Sequence, residues 1–297
     1  MTTLSQDRAA VQSDLKETTL LKRIIPKRWG VHLFLIVTCA IVGFPLFYAA
    51  LVSTQDNADV YSYRFTPGTA FARNWDTTIN KRNLPNYMFN TVVVAVLVTV
   101  AKTVLSLLAG LAFVYFRFPG KWVLFGFVLV TLLMPTEILI IALYRFVISV
   151  NKTFGFGDNY FWALIVPFMA SATGSFLFRQ HFSNIPAELS EAAQLDGATP
   201  LQFLFQVLVP ISWNTIGALA VIQFVYVWNM YLWPVTIIQG QQQQVVQVGL
   251  SQLLGGDQAS SFGPLMLGAV VASIPPVLVF VLLQKQFMSG FAVARDK

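Results

Sequence analysis

One segment of the chain, residues 191–200, reads Glu191-Ala192-Ala193-Gln194-Leu195-Asp196-Gly197-Ala198-Thr199-Pro200. It is short, polar and acidic, and it lies between long apolar runs. Glu188 and Glu191 are three residues apart and therefore fall on one face of a helix. Gly197 can end that helix in a left-handed cap, and Thr199 can act as the N-cap of a second helix. The sequence therefore predicts a helix, a tight turn and a second helix over residues 185–206, at a membrane surface.

The composition excludes an ordinary soluble domain. Of the 297 residues, 56% are hydrophobic and only 11% are charged, which is too little charge to cover a soluble surface. The net charge of +6 does not indicate nucleic-acid binding, because the basic residues lie beside apolar runs rather than in a patch with interleaved aromatics. The single cysteine, Cys39, excludes an intrachain disulfide.

Apolar windows of about 20 residues predict an all-α membrane protein with six transmembrane helices. We expect these helices at about 29–51, 89–116, 122–150, 160–182, 207–238 and 262–287. A polar tail (1–28) precedes the six-helix membrane domain (29–290), and a short tail (291–297) follows it. The polar segment 52–87 is expected to be a long structureless loop.

The distribution of basic residues predicts the topology. With six spans, both termini and the turns at 117–121 and 179–206 share one side of the membrane. That side then holds twelve of the nineteen Lys and Arg residues: Arg8, Lys16, Lys22, Arg23, Lys27, Arg28, Arg117, Lys121, Arg179, Lys285, Arg295 and Lys297. By the positive-inside rule this is the cytoplasmic side. The acidic segment is therefore expected in the cytoplasm, together with both termini.

A known motif matches this segment and the residues after it. Glu191-Ala192-Ala193, three residues, Gly197, nine residues and Val207-Leu208-Val209-Pro210 resemble the EAA signature of bacterial ABC importer permeases, written EAA-x3-G-x9-I-x-L-P. Only the valines at 207 and 209 depart from it. The resemblance implies the type I ABC importer permease fold, with this segment as the coupling helix that docks on an ATP-hydrolysing subunit. The residues expected to serve coupling are Glu188, Glu191, Ala192, Ala193, Asp196, Gly197 and Pro210.

The same resemblance implies the partners. They are a second permease subunit, a pair of ATPase subunits and an extracytoplasmic solute-binding protein, assembled in the bacterial cytoplasmic (inner) membrane. The chain contains no Gly-x4-Gly-Lys-Ser/Thr motif, so ATP and Mg²⁺ are expected on the ATPase and no cofactor on this chain. Neither a nucleophile–base pair nor a metal cluster stands out, which argues against an enzyme.

Two ionisable residues fall inside predicted spans, where charge is costly and often functional. Lys102 lies in the second span, and Glu137 follows Pro135 in the third. One interpretation is that both line a polar pathway, where Lys102 attracts an anion or Glu137 accepts hydrogen bonds. The other is that they form a buried ion pair or polar tie that fixes helix packing.

An aromatic stretch ends the fifth span. Trp228, Asn229, Tyr231 and Trp233 combine aromatic faces with an amide, which suits the apolar face and hydroxyl edge of a sugar or polyol. The alternative is an aromatic belt at the outer membrane interface.

Nearly the whole chain resembles carbohydrate-uptake permeases of the maltose-transporter type, and within them most closely the permeases for sn-glycerol 3-phosphate. This similarity rests on residues 134–137, 167–173, 176–180 and 228–234. It implies import of sn-glycerol 3-phosphate or glycerophosphodiesters. Two alternatives remain open at this point: a permease subunit for neutral sugars of the maltose or trehalose type, and a stand-alone channel or secondary transporter.

Overall fold

The computed structural model describes residues 29–157, 160–254 and 261–292. The predicted tail 1–28 and the last residues, 293–297, lie outside the described residues. The chain divides after Leu51 into two units. The first contains all but the last residue of one long apolar helix, α1 (Trp29–Val52), as predicted for the first span. The second contains everything that follows.

The segment 52–87 is not the structureless loop that its polarity predicts. It forms α2 (Asn57–Tyr61), α3 (Phe71–Trp75) and a π-helical turn (Asp76–Lys81). Buried Asn74 donates from Nδ2 to the carbonyls of Ser53 and Gln55, at 2.9 and 2.8 Å. These long-range hydrogen bonds order the segment, and they cannot be predicted from the local sequence pattern.

The second span begins five residues earlier than predicted, as α4 (Leu84–Tyr115). Asn86 falls in the predicted loop, yet it lies with Asn90 in the first turns of this helix, and both side chains donate to the carbonyl of Gln242 at 2.8 Å. Their amides are satisfied by another segment, so the polar sequence does not end the helix.

The third predicted span is broken rather than continuous. It consists of α5 (Lys121–Leu132), a 3-10 turn (Thr136–Leu139) and α6 (Ile140–Phe154). Pro135 lies in the break in an extended conformation, with φ −65° and ψ 124°. The proline lacks the N–H group that a continuous helix needs at this position.

The fourth span is also interrupted. It contains α7 (Phe161–Ile165), a 3-10 turn (Val166–Phe168) and α8 (Ala172–Ser183). Ser171 is extended and caps α8, because its hydroxyl accepts a hydrogen bond from the N–H of Gly174 at 3.0 Å. A helix N-terminus therefore lies inside this span.

The acidic segment forms α9 (Ala187–Leu195) and α10 (Pro200–Phe203), followed by a π-helical turn (Leu204–Leu208) and α11 (Val209–Ile211). The fifth span itself is α12 (Trp213–Trp228), which is shorter than the predicted 207–238. The helical piece before it meets α12 at 81°. Pro210 lies beside this bend, where it removes one backbone hydrogen bond.

Three elements follow α12. They are α13 (Leu232–Ile237), α14 (Val246–Leu254) and the last span, α15 (Phe262–Ala292). A short 3-10 turn, Gln241–Gln243, contains most of the glutamine run. Asparagine side chains of α4 hold this turn in place.

The core lies between four helices, because α4 packs on α8 and α12, and α12 packs on α15. Two apolar clusters fill these contacts, one around Trp228 and Trp233 and one around Phe178, Phe182 and Leu208. The outward side chains of α15 are apolar and exposed, for example Leu282 at 75%. Four helices are long and apolar enough to cross a membrane, and six when each bent pair counts as one span, while no strand occurs in the described chain.

Candidate functional site

The turn after α9 has the geometry predicted from its glycine. Gly197 has φ +74°, which is the left-handed region. Its N–H donates to the carbonyl of Gln194 at 3.0 Å, and the N–H of Ala198 donates to the carbonyl of Ala193 at 2.9 Å. These two bonds form a Schellman motif, which satisfies the last carbonyls of a helix. The turn is therefore held by backbone geometry.

The start of α10 is held as firmly. The Thr199 hydroxyl accepts from the N–H of Gln202 at 3.3 Å, and the Gln202 side chain accepts from the N–H of Thr199 at 2.8 Å. This reciprocal arrangement is a capping box, and Pro200 occupies the first helical position. Two capped helices joined by a fixed turn make a rigid projection, which we call the coupling turn (residues 186–211).

The coupling turn presents acidic and apolar groups to its surroundings. Glu188, Glu191 and Asp196 are all exposed. Leu195, at its tip, is 90% exposed, although leucine strongly prefers burial. Neither Glu188 nor Glu191 forms an ion pair within the described chain. The surface therefore combines uncompensated negative charge with an exposed apolar side chain, which is typical of a docking site.

The other predicted coupling residues have simpler roles. Ala193 is half-buried and packs on the cluster around Phe178, while Ala192 is exposed and its carbonyl accepts the N–H of Asp196 at 3.0 Å. Pro210 is exposed beside the bend before α12. Because alanine is small, α9 can lie close to the core on the side of Ala193, while the side of Ala192 remains exposed.

Aromatic contacts fasten the coupling turn to the spans. The ring of Phe203 packs edge-on against Tyr115, with centroids 5.1 Å apart, and Tyr115 in turn contacts Phe182 at 6.4 Å. Phe203, Leu204 and Leu208 are buried in the same cluster as residues of α4 and α8. A displacement of the turn would therefore act directly on two spans. The contacts also put the coupling turn at the Tyr115 end of α4, beside the predicted cytoplasmic turn at 117–121.

Lys102 lies in the middle of α4 and is 6% exposed. Its Nζ donates to Oε1 of Gln223 on α12 at 2.9 Å and lies 4.9 Å from the ring centroid of Tyr226. The Gln223 Nε2 donates onward to Oγ of Ser171, at 3.3 Å. The lysine is thus tied to α12 and, through the amide, to the start of α8.

Glu137 is not the partner of Lys102. It is exposed, on the 3-10 turn between α5 and α6, whereas the contacts of Lys102 are with α12. Of the two interpretations of these residues, the ion pair does not describe the arrangement seen here.

The two tryptophans of the aromatic stretch belong to the core. Trp228 is 2% exposed and donates its indole N–H to the carbonyl of Ala272 at 3.1 Å, and Trp233 is 3% exposed and donates to the carbonyl of Ala163 at 2.9 Å. Because both are buried and both N–H groups are bonded, neither is open to a ligand in this conformation.

The polar members of the stretch lie outside the core. Asn229 is exposed, donates to the carbonyl of Val225 at 2.8 Å and accepts from Nε2 of Gln247 at 3.3 Å. Tyr231 is 40% exposed, at the start of α13. These two side chains remain available to a ligand or a partner protein.

Sequence reasoning missed Gln223 and Ser171. Gln223 interrupts an apolar run in α12, and that interruption was the available signal. Among the side chains that the structure describes, no group of three His, Cys, Asp or Glu residues could hold a metal ion.

Comparison with known proteins defines the class of this helical bundle and its coupling turn. Residues 102–292 match the family described as binding-protein-dependent transport system inner membrane component. The chain belongs to this family. It is a permease subunit of an ABC importer, a transport component of the inner membrane rather than an enzyme.

Several relatives carry the same name. The sn-glycerol-3-phosphate transport system permease protein UgpE of Rhizobium meliloti is 37% identical over 269 residues, covering 87% of this chain and 94% of the relative. The protein of that name from Escherichia coli O1:K1 / APEC is 34% identical over 268 residues, with the same coverage of both chains.

Solved structures support the fold. A chain in the crystal structure of a bacterial ABC transporter involved in the import of the acidic polysaccharide alginate matches with a TM-score of 0.70 and 20% identity. The match covers 87% of this chain and 96% of the other. At 20% identity, this similarity supports the fold only.

Proposed function

We propose that this chain forms half of the translocation pathway of an ATP-driven importer of sn-glycerol 3-phosphate or glycerophosphodiesters. It pairs with a second permease, and two ATPase subunits and an extracytoplasmic solute-binding protein complete the complex. ATP and Mg²⁺ are bound by the ATPase subunits. Both termini and the coupling turn lie in the cytoplasm.

One observation carries this proposal: the coupling turn is rigid, its Glu188 and Glu191 have no ion pair among the described residues, and Leu195 at its tip is 90% exposed. A soluble partner with an apolar groove and basic rim would bury the leucine and neutralise Glu188 and Glu191. The aromatic contact between Phe203 and Tyr115 would transmit the movement of that partner to α4.

Alternating access follows from this linkage. When ATP closes the ATPase dimer, the coupling turns move with it, and the helix bundles rock from inward-open to outward-open. The binding protein then releases its ligand into the cavity, and hydrolysis resets the cycle. ATP and the loaded binding protein can drive this shift only because each binds the two states with different affinity.

The substrate class is supported by the names of the relatives, which are sn-glycerol-3-phosphate permeases over 94% of their length.

The test is the ATPase activity of the complete complex in lipid, with its binding protein loaded in turn with glycerol 3-phosphate, a glycerophosphodiester, maltose or trehalose. We expect stimulation by the phosphorylated ligands alone. Stimulation only by a neutral sugar would contradict the substrate and keep the mechanism. Failure of any ATPase subunit to copurify would contradict the importer assignment in favour of a channel.

A further inference from the structure

Lys102 is a charged group in the middle of a membrane span that faces a neutral partner. Its Nζ contacts the amide oxygen of Gln223, and no carboxylate of the described residues lies within ion-pair distance of it. Charged side chains in a membrane usually pair with an opposite charge or line a polar pathway. An amide dipole compensates an ammonium only in part, so a positive charge remains here.

Three side chains that can donate hydrogen bonds, those of Lys102, Gln223 and Ser171, are connected here. An ammonium has three N–H bonds, and Gln223 accepts one of those of Lys102. The Gln223 amide donates to the Ser171 hydroxyl over a long 3.3 Å, so it could turn to a better acceptor. Ser171 is also the N-cap of the 12-residue helix α8, whose first turn carries a partial positive charge. Oxygen atoms of an anion are the acceptors that such a set binds best.

The same side of α4 carries more polar groups. Thr99, Lys102, Thr103 and Ser106 follow the i, i+3, i+4, i+7 spacing of one helix face, and all are buried. The hydroxyls of Thr99 and Ser106 have no hydrogen-bond partner within the described part of the chain. Buried hydroxyls are normally satisfied, so these two groups could bond a polar molecule that lies between α4, α8 and α12.

Tyr226 covers this site from outside. Its side chain lies over the Lys102 ammonium, and the residue is 45% exposed. A small outward movement of α12, or a rotation of this ring, would therefore open the ammonium to a molecule that arrives along the exposed side. In the arrangement seen here, Lys102 is covered and 6% exposed.

We propose that Lys102, Gln223 and Ser171 form the binding site for the phosphoryl group of the substrate, uncovered when α4 and α12 separate. The inference rests on the proposed import of a phosphorylated substrate and assigns its recognition to this subunit. A phosphomonoester carries a charge of about −1.5 to −2 at neutral pH and three acceptor oxygens, which match one ammonium and two neutral donors.

The first experiment asks whether the site becomes accessible to water. In a Cys39→Ser background, which removes the single native cysteine, Lys102→Cys is introduced and the complete importer is placed in proteoliposomes. A thiol reagent with a sulfonate group is added without nucleotide and during ATP turnover. We expect labelling of Lys102→Cys in at least one of these conditions.

The matched control is Ala272→Cys, which puts a thiol of the same kind at a core position that is 4% exposed beside Trp228. This variant should stay unlabelled in both conditions. If Lys102→Cys is as unreactive as Ala272→Cys throughout, the site does not line the pathway and the inference is overturned.

The second experiment asks whether the charge is needed. Lys102→Met keeps the length of the side chain and removes the charge, while Lys102→Arg keeps the charge. Loss of a hydrogen bond to a charged group corresponds to a fall in glycerol 3-phosphate uptake of about tenfold or more in Lys102→Met. Lys102→Arg should retain most of the uptake, at equal amounts of protein in the membrane.

The outcomes separate the two claims. A wild-type importer that transports glycerol 3-phosphate, with Lys102→Met unchanged, overturns the phosphoryl site and leaves the proposed function standing. A wild-type importer that transports only a neutral sugar contradicts the proposed substrate, and the assigned ligand of the site with it. Equal losses in Lys102→Met and Lys102→Arg would assign Lys102 a packing role instead.

Discussion

At the scale of single residues, Gly197 fixes the shape of the coupling turn through its backbone angle. Its φ of +74° favours glycine, and nothing lies within 4 Å of the place a Cβ would occupy. A substitution is therefore strained by conformation and not by crowding. For a β-branched residue the left-handed conformation costs about 1–2 kcal/mol, whereas asparagine tolerates it.

We therefore predict that Gly197→Val lowers ATPase activity stimulated by the loaded binding protein, because the helix–turn–helix opens, while Gly197→Asn retains most of it. Both rates are measured in the reconstituted complex at equal membrane levels. Equal activity of the two variants would show that the left-handed turn is not needed for coupling.

Charge at Glu191 gives the second prediction. The residue is exposed and has no ion pair in the described chain, so Glu191→Lys should leave folding intact and weaken recovery of the ATPase with the permease. Copurification of the ATPase subunit measures this, together with the thermal stability of the permease in detergent.

A suitable control is Asp76→Asn. Asp76 is half-exposed, and hydrogen bonds from Asn80 and then Lys81 lower the pKa of its carboxyl group, but it lies on the segment before α4, far along the chain from the coupling turn. Exposed pairs contribute little to stability, so this variant should copurify normally. Similar losses in both variants would argue against a specific role for Glu191.

The residues of the site were partly predictable from the sequence. Lys102 stands out because charge inside an apolar run is costly. Its partner Gln223 lies 121 residues away, and one sequence does not say which helices are neighbours. The roles of Trp228 and Trp233 were ambiguous for a related reason, because an indole ring can contact a ligand, lie at the membrane interface or pack in the core. Only the structure shows that both indole N–H groups donate to backbone carbonyls in the core.

At the scale of elements, α4 and α8 approach closely through glycine. A Cβ built on Gly110 would lie 2.7 Å from Cβ of Phe178, and Gly174 similarly faces the side chain of Ser106. Small residues at such contacts let two membrane helices pack backbone against backbone.

We predict that Gly110→Ala destabilises the protein by about 1–3 kcal/mol, because the new methyl group forces the two helices apart. The midpoint of thermal unfolding in detergent measures the loss. Gly126→Ala is the matched control, since it lies in helix α5 and a Cβ there would meet nothing within 4 Å. It should be neutral or slightly stabilising, and equal effects of both variants would contradict the close contact of α4 and α8.

The positions of the elements were predictable, but their interruptions were only partly so. A proline inside an apolar run, such as Pro135 in the third span, predicts a kink, and the structure has a full break there. The polar segment 52–87 contains three short helical elements that its sequence does not predict. The hydrogen bonds that order it join distant parts of the chain; for example, Thr78 Oγ1 donates to the carbonyl of Pro264 at 3.0 Å. Local pattern gives the apolar runs, and tertiary contacts decide where each helix starts and stops.

At the scale of the whole molecule, one cluster connects the coupling turn to the proposed pathway. Phe203, Leu204 and Leu208 pack with Leu107 and Phe178, on the helices that also carry Lys102 and follow Ser171. A displacement at the membrane surface can thus change the distance between α4 and α8 in the interior. Packed cores tend to switch between discrete arrangements, which suits alternating access.

This connection gives a prediction for Phe203→Ala. Removing the ring takes away the edge-on contact with Tyr115 and leaves a cavity beneath the coupling turn. We expect ATP hydrolysis to continue while uptake falls, so that more ATP is used per substrate molecule. Parallel losses of hydrolysis and uptake would show that the contact supports assembly rather than transmission.

Coupling of import to ATP can be measured as uptake of radiolabelled glycerol 3-phosphate into proteoliposomes that contain this chain, its partner permease and the ATPase, with the loaded binding protein outside. We predict uptake that requires both ATP inside the vesicles and the binding protein outside. Uptake that continues without ATP would contradict this prediction, because the chain would then conduct its substrate without coupling.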